Sequence, residues 1–291
     1  MHPQTVSLTF PSKGQTPMNE RPTAVVIAAG GLGTRVAGWS PFLPKELRPV
    51  QGRPGLVHVL EEAANLGVDR AVVVHHPYYA PIIDWTRQVL APGALARYRQ
   101  LAHQPAEQPP LIERMQVDFI AQHGRYADIT SALNGAEHLH TGDVCLAFAD
   151  NVDPSHTALS ELMAVASPHT PAVLAGPFSL QAASSHGVII CAGTGPERTM
   201  AGLVEKPDPA HAVELAAEHG TDSLRLFQGR ARLTPELLHY LTAVARHTAS
   251  EPKLSLALAA YARHHRVGIV TNNNTMIDLG APDTVEMARS E

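Results

Sequence analysis

The sequence has little cysteine and no long apolar run, and each shortage excludes a class of protein. Two cysteines in 291 residues, Cys145 and Cys191, exclude a disulfide scaffold and a four-thiolate zinc site. No apolar run reaches the roughly 20 residues that a membrane span needs. The first residues also lack the basic and apolar segments of a signal peptide. We therefore expect a cytoplasmic protein with no membrane partner.

Positive charge is scarce as well. Lysine and arginine number 22 against 27 acidic residues, which gives a net charge of −5. This balance argues against a nucleic-acid partner but is compatible with one local basic pocket. Hydrophobic residues make up 44% of the chain, enough to bury a sizeable core.

Short apolar runs alternate with helical patterns through the first 180 residues. This alternation predicts an α/β fold: a doubly wound, Rossmann-like, mixed but mostly parallel sheet with helices on both faces. The predicted strands cover residues 23–29, 71–74, 115–121, 144–149 and 171–178, and the predicted helices cover 54–67, 84–90, 128–139 and 156–166.

The second half changes character, and the ends of the chain set the domain limits. An antiparallel pair is predicted at 187–191 and 199–204, followed by helices at 209–219, 235–246 and 254–263 and a strand at 266–270. Residues 91–112 have the composition of a surface insertion. Residues 1–20 are polar and without helical period, so we predict a flexible tail before a single domain over 21–291.

A glycine-rich segment, AAGGLGTR, follows the first predicted strand and ends at Arg35. Ligands of open α/β sheets bind beyond the carboxyl ends of strands, where glycines let backbone N–H groups approach a phosphate. Val36 stands where the dinucleotide fingerprint needs its third glycine, which argues against an oxidoreductase, and no Gly-Lys-Ser/Thr follows for a Walker A loop. A glycine-rich turn without a ligand is the alternative.

Lysine occurs only at positions 13, 45, 206 and 253. Two of these stand in distinctive contexts, Pro44-Lys45-Glu46 and Glu205-Lys206-Pro207. A lysine ammonium is a compact charge that suits phosphate oxygens. The alternative is a pair of solvated surface lysines.

Taken in order, these segments resemble the sugar-1-phosphate nucleotidyltransferases. The glycine-rich run ends in Gly-Thr-Arg35, Pro-Lys-Glu lies ten residues later, and Gly187, Glu-Lys206-Pro and Asp278-Leu-Gly follow. The likeness spans about 23–289 and is greatest to bacterial UTP–glucose-1-phosphate uridylyltransferases. It implies transfer of a nucleotidyl group from an NTP, UTP favoured, to a sugar 1-phosphate, glucose 1-phosphate favoured, in a homo-oligomer (dimer or tetramer).

The resemblance also implies roles for individual residues. It divides the domain into a nucleotide-binding half, about 21–150, and a sugar-binding half, about 151–291. Mg²⁺ is the implied cofactor. The implied roles are catalytic for Arg35, Lys45 and Asp150, nucleotide-binding for Ala29, Gly30, Gly31, Gly33, Thr34, Gln122 and Gly124, sugar-phosphate-binding for His186, Gly187, Glu205 and Lys206, and metal-ligating for Asp150 and Asp278.

Departures from the family pattern leave alternatives open. Pro41 replaces a second lysine, and a sugar-contacting asparagine expected near residue 223 is absent. The same chemistry with dTTP, another NTP or a cyclitol phosphate is therefore an alternative. A non-catalytic nucleotide-sensing paralogue is another, although such a protein would be expected to lose Lys45, Asp150 or Asp278. Asp153 is a second candidate ligand beside Asp150, or else a helix-capping residue. The 17 histidines show no His-Glu-x-x-His spacing, so we predict no zinc site from them.

Overall fold

The computed structural model describes residues 24–105, 111–167, 169–249 and 251–281. The predicted tail lies outside these residues. Within them the strands are β1 Ala24–Ala29, β2 Pro49–Val50, β3 Arg53–Pro54, β4 Arg70–His75, β5 Gln116–Ala121, β6 Val144–Phe148, β7 Asn151–Val152, β8 Ala172–Pro177, β9 Gly187–Ala192, β10 Thr199–Glu205, β11 Leu224–Leu233, β12 Gly268–Thr271 and β13 Ile277–Asp278.

The α-helices of the described residues are α1 Gly55–Leu66, α2 Ala80–Val89, α3 Ala94–Leu101, α4 Asp128–Leu139, α5 Ala158–Val165, α6 Leu180–Ala183, α7 Pro209–His219, α8 Pro235–His247 and α9 Leu254–Ala262. Seven of these nine α-helices in the described part of the chain correspond to predicted helices; α3 and α6 do not. None of these helices combines the length and apolarity needed to cross a membrane.

Nine strands form one sheet in the order β5-β4-β1-β6-β11-β8-β12-β10-β9. Strands β11 and β10 pair antiparallel with their neighbours, and the other strands run in one common direction. The predicted mixed, mostly parallel sheet is therefore confirmed, as is the predicted antiparallel pair β9–β10.

Helices cover both faces of the sheet, which explains why the central strands are continuous apolar runs. In β1, Val25 and Ile27 enter the core beneath α1 and α5. Val26 enters the opposite core, beneath α4, α8 and α9. A strand buried on both faces needs apolar residues at every position rather than at alternate ones.

Local signals set the helix ends. Helix α1 follows Pro54 and ends at Gly67, whose φ of 82° is the left-handed conformation that favours glycine. Helix α7 begins at Asp208, whose carboxylate accepts a hydrogen bond from the backbone N–H of His211 at 2.9 Å. The proline that follows each of Asp208 and Thr234 occupies the first helical position, where no N–H is needed.

Helix α3 and strand β11 are two of the elements that were not predicted. Helix α3 lies within the predicted surface insertion and has no buried residue, so the segment is superficial but helical. Strand β11 is ten residues long and passes through the middle of the sheet. Its Arg230 and Arg232 are buried, because Glu62 and Asp143 pair with them from distant parts of the chain.

The topology gathers the predicted site at one edge of the sheet. The glycine-rich loop follows β1, Gln122 follows β5, and Asp150 follows β6, and these three strands run parallel. The small β7–β13 ladder places Asn151 opposite Asp278. Residues separated by more than 240 positions therefore meet at the carboxyl ends of the strands, where α/β proteins bind ligands.

Candidate active site

A cleft of about 450 Å³ opens at this edge of the sheet. Its wall contains most of the residues expected from the sequence. They are Gly30, Gly31, Gly33, Thr34, Arg35, Lys45, Gln122, Asp150, His186, Gly187, Glu205, Lys206 and Asp278.

The glycine-rich loop is packed so tightly that two of its glycines have no room for a side chain. At Gly30 an added Cβ would overlap Gln122 Oε1, and at Gly33 it would overlap Ser40 Oγ. Gly33 has a φ of 63°, and its carbonyl accepts the Ser40 hydroxyl at 2.9 Å. The packing holds the loop backbone in the cleft wall, the position that phosphate-binding loops occupy.

Gln122 is held in one orientation by the residues that follow it. Its Nε2 donates to the carbonyl of Ala127 at 3.1 Å, and its Oε1 accepts from Ser131 Oγ at 3.0 Å. The side chain is buried against Gly30. A fixed amide beside the glycine-rich loop is suited to reading the edge of a base.

Lys45 and Asp150 form an ion pair inside the cleft. Burial alone would lower the pKa of Lys45, but Asp150 and Glu46 raise it above its usual value. Burial would raise the pKa of Asp150, but the charge of Lys45 holds it below its usual range. Both groups are therefore charged near neutral pH. The Lys45 ammonium also lies 3.1 Å from a Cβ built on Gly31, which places it against the glycine-rich loop.

Glu46 is the third ionisable group of this cluster. Its carboxylate lies 3.7 Å from Lys45 Nζ, and its Oε2 is buried without a hydrogen-bond partner among the described residues. Burial raises the pKa of Glu46 to about 7, despite the neighbouring ammonium. Glu46 is therefore partly protonated at neutral pH, which leaves Asp150 as the main counter-charge of Lys45.

Arg35 and Asp278 form a second pair of cation and carboxylate. Both terminal guanidinium nitrogens lie 3.4 Å from Asp278 Oδ2. The Gly280 N–H donates to Asp278 Oδ1 at 2.7 Å, which fixes the carboxylate. Asp278 is buried, whereas the Arg35 side chain is nearly half exposed, so the guanidinium can turn toward an anionic ligand.

Asp150 and Asp278 are suited to share a divalent cation. The backbone N–H of Leu279 donates to the Asp150 carbonyl at 2.7 Å, so the two chain segments are in contact, and both carboxylates line the cleft. Carboxylate oxygens are the donors that Mg²⁺ prefers. Asp153, the other candidate, is instead a turn residue, because its carboxylate accepts from the N–H groups of Ser155, Thr157 and Ala158.

The predicted sugar-phosphate-binding residues meet where β9 begins and β10 ends. Gly187 pairs with Glu205 across the ladder, and the N–H of Lys206 donates to the His186 carbonyl at 3.2 Å. Lys206 has a φ of 46°, a conformation that is costly for a residue with a side chain. Such strain is typical of residues held in place for function, here with the ammonium at the cleft.

Two predicted nucleotide-binding residues are not in the cleft wall. Ala29, the last residue of β1, directs its methyl group into the core shared with α1, so it faces away from the cleft. Gly124 has a φ of 86° and lies in an exposed turn. That these two residues contact the nucleotide stays a prediction.

The cleft also contains residues that the sequence did not indicate. Glu251, Lys253 and Ser255 at the start of α9 line it, as does Asp128. Asp128 Oδ1 accepts from the N–H of Leu254 at 2.8 Å, which ties α9 to α4. In the sequence, Lys253 was notable only as one of four lysines.

A family profile matches most of the chain. The profile of the Nucleotidyl transferase family matches residues 24–288. The chain belongs to the nucleotidyl transferase family. Among curated relatives, the UTP–glucose-1-phosphate uridylyltransferase YngB of Bacillus subtilis (strain 168) is 25% identical over 268 residues, which cover 90% of this chain and 86% of YngB.

Solved structures share the fold. A UDP-glucose pyrophosphorylase complexed with UDP-glucose superposes with a TM-score of 0.71 at 19% identity, covering 91% of this chain and 96% of that one. The inositol-1-phosphate CTP transferase of T. maritima superposes with a TM-score of 0.67 at 11% identity, covering 92% and 95%. At these identities the likeness establishes the nucleotidyltransferase fold.

Proposed function

We propose that this member of the family transfers a nucleotidyl group from a nucleoside triphosphate to a sugar 1-phosphate and releases pyrophosphate. UTP and glucose 1-phosphate are the favoured substrates. The match to YngB along most of the chain supports this pair, as does the fold shared with a UDP-glucose pyrophosphorylase.

The charge arrangement of the cleft is the observation on which the proposal depends. Lys45 lies against the glycine-rich loop and is paired with Asp150. The charge of Lys206, which also lines the cleft, lowers the pKa of Asp150 as well. A carboxylate that feels two lysines from distant parts of the chain is suited to the point where two phosphorylated substrates meet.

The proposed reaction needs positioning and charge neutralisation rather than a nucleophilic side chain. An oxygen of the sugar phosphate, anionic near neutral pH, attacks the α-phosphorus of the NTP in line. The bond between the α-phosphorus and the bridging oxygen breaks, and pyrophosphate leaves with the electron pair. Lys45 and Arg35 neutralise the leaving charge, Lys206 holds the sugar phosphate, and Glu205 accepts hydrogen bonds from sugar hydroxyls.

Asp150 and Asp278 would hold Mg²⁺ in this scheme. Both are carboxylates in the cleft, and the β7–β13 ladder brings their chain segments together. Bound Mg²⁺ supplies polarisation of the α-phosphate. Lys45 holds the pKa of Asp150 below its usual range, and Arg35 pairs with Asp278.

A different substrate pair is the second candidate. Residues Thr221–Ser223, where the sugar-contacting asparagine was expected, form a short 3₁₀ turn and are not part of the cleft wall. The packed rings of Phe148 and Phe227, 5.8 Å apart, line the cleft instead. This altered sugar end favours the alternative of dTTP, another NTP or a cyclitol phosphate with the same chemistry.

Pyrophosphate release tests the proposal and separates the candidates. Four NTPs and dTTP would be combined with a panel of sugar and cyclitol 1-phosphates, with Mg²⁺ and with a chelator. We expect release that requires UTP, glucose 1-phosphate and Mg²⁺ together. Release with another pair would keep the chemistry and replace the substrates. Nucleotide binding without release from any pair would favour the non-catalytic paralogue.

A further inference from the structure

Two histidines and a glutamate meet outside the cleft. His58 and Glu61 lie on α1, and His156 lies in the turn between β7 and α5. One ligand atom of each residue lies within 4.8 Å of the other two. The cluster joins segments about 100 residues apart, and no motif in the sequence announces it.

The spacing of these atoms fits a tetrahedral transition-metal ion. Zinc–nitrogen bonds of about 2.0–2.1 Å at tetrahedral angles separate neighbouring ligand atoms by roughly 3.3 Å. Here His58 Nδ1 lies 2.9 Å from His156 Nε2, and His156 Nε2 lies 3.6 Å from Glu61 Oε2. The two distances bracket the value that zinc requires, and the third pair of ligand atoms lies within 4.8 Å, so ligation needs side-chain movements of about 1.5 Å or less.

An independent contact prepares His58 as a ligand. Its other ring nitrogen, Nε2, lies 2.9 Å from the backbone carbonyl of Val50. The carbonyl can only accept, so Nε2 carries the proton and Nδ1 presents a lone pair toward the cluster. Metal-ligating histidines characteristically donate their second N–H to a carbonyl or carboxylate in this way.

The backbone of His156 supports the same interpretation. Its φ is 57°, a left-handed conformation that is unfavourable for a residue with a side chain. Strain of this kind is common at ligand-binding positions. The side chain is mostly buried but still reaches solvent, so an ion has access to the open coordination position.

Two groups among the described residues compete with a cation: the proton on His156 Nε2, which donates to His58 Nδ1 at 2.9 Å and would leave on metal binding, and the Arg53 guanidinium. Arg53 Nη1 lies 2.8 and 2.7 Å from the two carboxylate oxygens of Glu61. Its side chain is nearly half exposed, so it can leave without breaking a buried contact. Arg53 therefore tunes the affinity of the cluster for a cation rather than blocking it.

We propose that His58, Glu61 and His156 form a binding site for Zn²⁺ or a similar divalent transition-metal ion, separate from the Asp150–Asp278 pair. Two imidazoles and one carboxylate are a donor set that zinc favours and Mg²⁺ does not. The bound ion would fasten α1 to the turn after β7. That turn leaves the strand next to Asp150, so zinc would stabilise the segment that carries the cleft carboxylate.

Equilibrium dialysis of the whole chain against Zn²⁺ in excess Mg²⁺ tests the proposal, because the excess Mg²⁺ competes with Zn²⁺ for the carboxylate pair of the cleft. We expect one tightly bound Zn²⁺ per chain and a higher melting temperature with Zn²⁺. His156→Asn should weaken this binding at least tenfold, since loss of even an indirect partner weakens metal sites about 10–100-fold. Asparagine tolerates the left-handed backbone, so folding should be preserved.

Two further variants make the result decisive. Arg53→Met should tighten zinc binding, because it removes the competitor for Glu61. His138→Gln is the matched control, because His138 pairs with a single carboxylate, Asp118, at 3.1 Å. Absence of a Zn²⁺ that survives excess Mg²⁺ in the wild-type chain would overturn the proposal. Equal loss of binding in His138→Gln, or unchanged binding in both His156→Asn and Glu61→Gln, would do so as well.

Discussion

Arg230 and Glu62 form an ion pair that is completely buried. Arg230 Nε lies 2.9 Å from Glu62 Oε1, and Nη2 lies 2.7 Å from Oε2. Arg230 also donates to the carbonyl of Asn151 at 2.8 Å, and Glu62 accepts from the N–H of Leu159 at 2.8 Å. The pair thus joins β11, α1 and α5, and it holds the residue that follows Asp150.

Removal of one partner of this pair should strongly destabilise the fold. Arg230→Met leaves the Glu62 carboxylate buried without its counter-charge, which typically costs about 3–5 kcal/mol. The free energy of unfolding in urea measures the loss. Arg70→Met is the control, because its pair with Asp118 is partly exposed and should contribute at most about 1 kcal/mol. Equal losses in the two variants would contradict the role given to burial.

The same pair explains why β11 could not be predicted from the sequence. Its sequence, LRLFQGRARL, alternates arginine with apolar residues, which is typical of an exposed strand or loop. Arg230 and Arg232 are buried only because Glu62 and Asp143, 168 and 89 residues away, accept from them. The parallel strands were predictable because their burial on both faces requires unbroken apolar runs.

Gly33 should be intolerant of a side chain, whereas Gly38 in the same segment should tolerate one. A Cβ at Gly33 meets Ser40 Oγ, and its φ of 63° is unfavourable for alanine. Nothing lies within 4 Å of a Cβ at Gly38. We expect Gly33→Ala to raise the KM for the NTP at least about tenfold, equivalent to 1.4 kcal/mol of binding. In steady-state kinetics, Gly38→Ala should have a KM for the NTP near that of wild type. Similar KM values for the two variants would contradict the proposal that the glycine-rich loop binds the NTP.

Asp128 should make stability depend on pH. Burial raises its pKa from 3.8 to about 6, so its contribution is complete below pH 3.8 and is lost as the pH rises through 6. Asp128→Asn keeps an oxygen for both backbone donors, which bind Oδ1. The variant should therefore gain stability relative to wild type between pH 4 and pH 7, as measured by urea unfolding.

Asp118→Asn is the control, because the pKa of Asp118 is shifted downward rather than upward. Burial would raise the pKa of Asp118, but hydrogen bonds from Gln116, Arg70 and His138 lower it to about 2. Its contribution is present above pH 3.8 and is lost as the pH falls toward 2. Between pH 4 and pH 7 the difference between Asp118→Asn and wild type should stay constant. If the difference in unfolding free energy between Asp128→Asn and wild type were also constant from pH 4 to pH 7, the raised pKa of Asp128 would be contradicted.

Asp278→Asn should raise the Mg²⁺ concentration needed for half-maximal pyrophosphate release. The amide keeps the bond from Gly280 N–H but loses the charge that would attract the ion. The control is Asp153→Asn, measured at the same NTP concentration, because the Asp153 carboxylate is used by backbone N–H groups of its own turn. An unchanged Mg²⁺ requirement in Asp278→Asn would remove this residue from the metal site.

The site was predictable where its residues stand in short motifs at strand ends. The loop ending at Arg35, Lys45 and Lys206 were found in this way, and the structure brings them to one cleft. Lys253 and the His58–His156 contact were missed, because they are brought into place only by packing between distant segments. Assembly into a dimer or tetramer and a cytoplasmic location remain predictions of the sequence.

Turnover of Lys45→Met at saturating NTP and sugar 1-phosphate tests the central claim most directly. If Lys45 neutralises charge on the departing pyrophosphate, kcat should fall by a factor of about 10²–10³ or more, as for other donors to developing charge. Arg70→Met should retain the turnover of wild type. A folded Lys45→Met protein with a kcat within a few-fold of wild type would contradict the account.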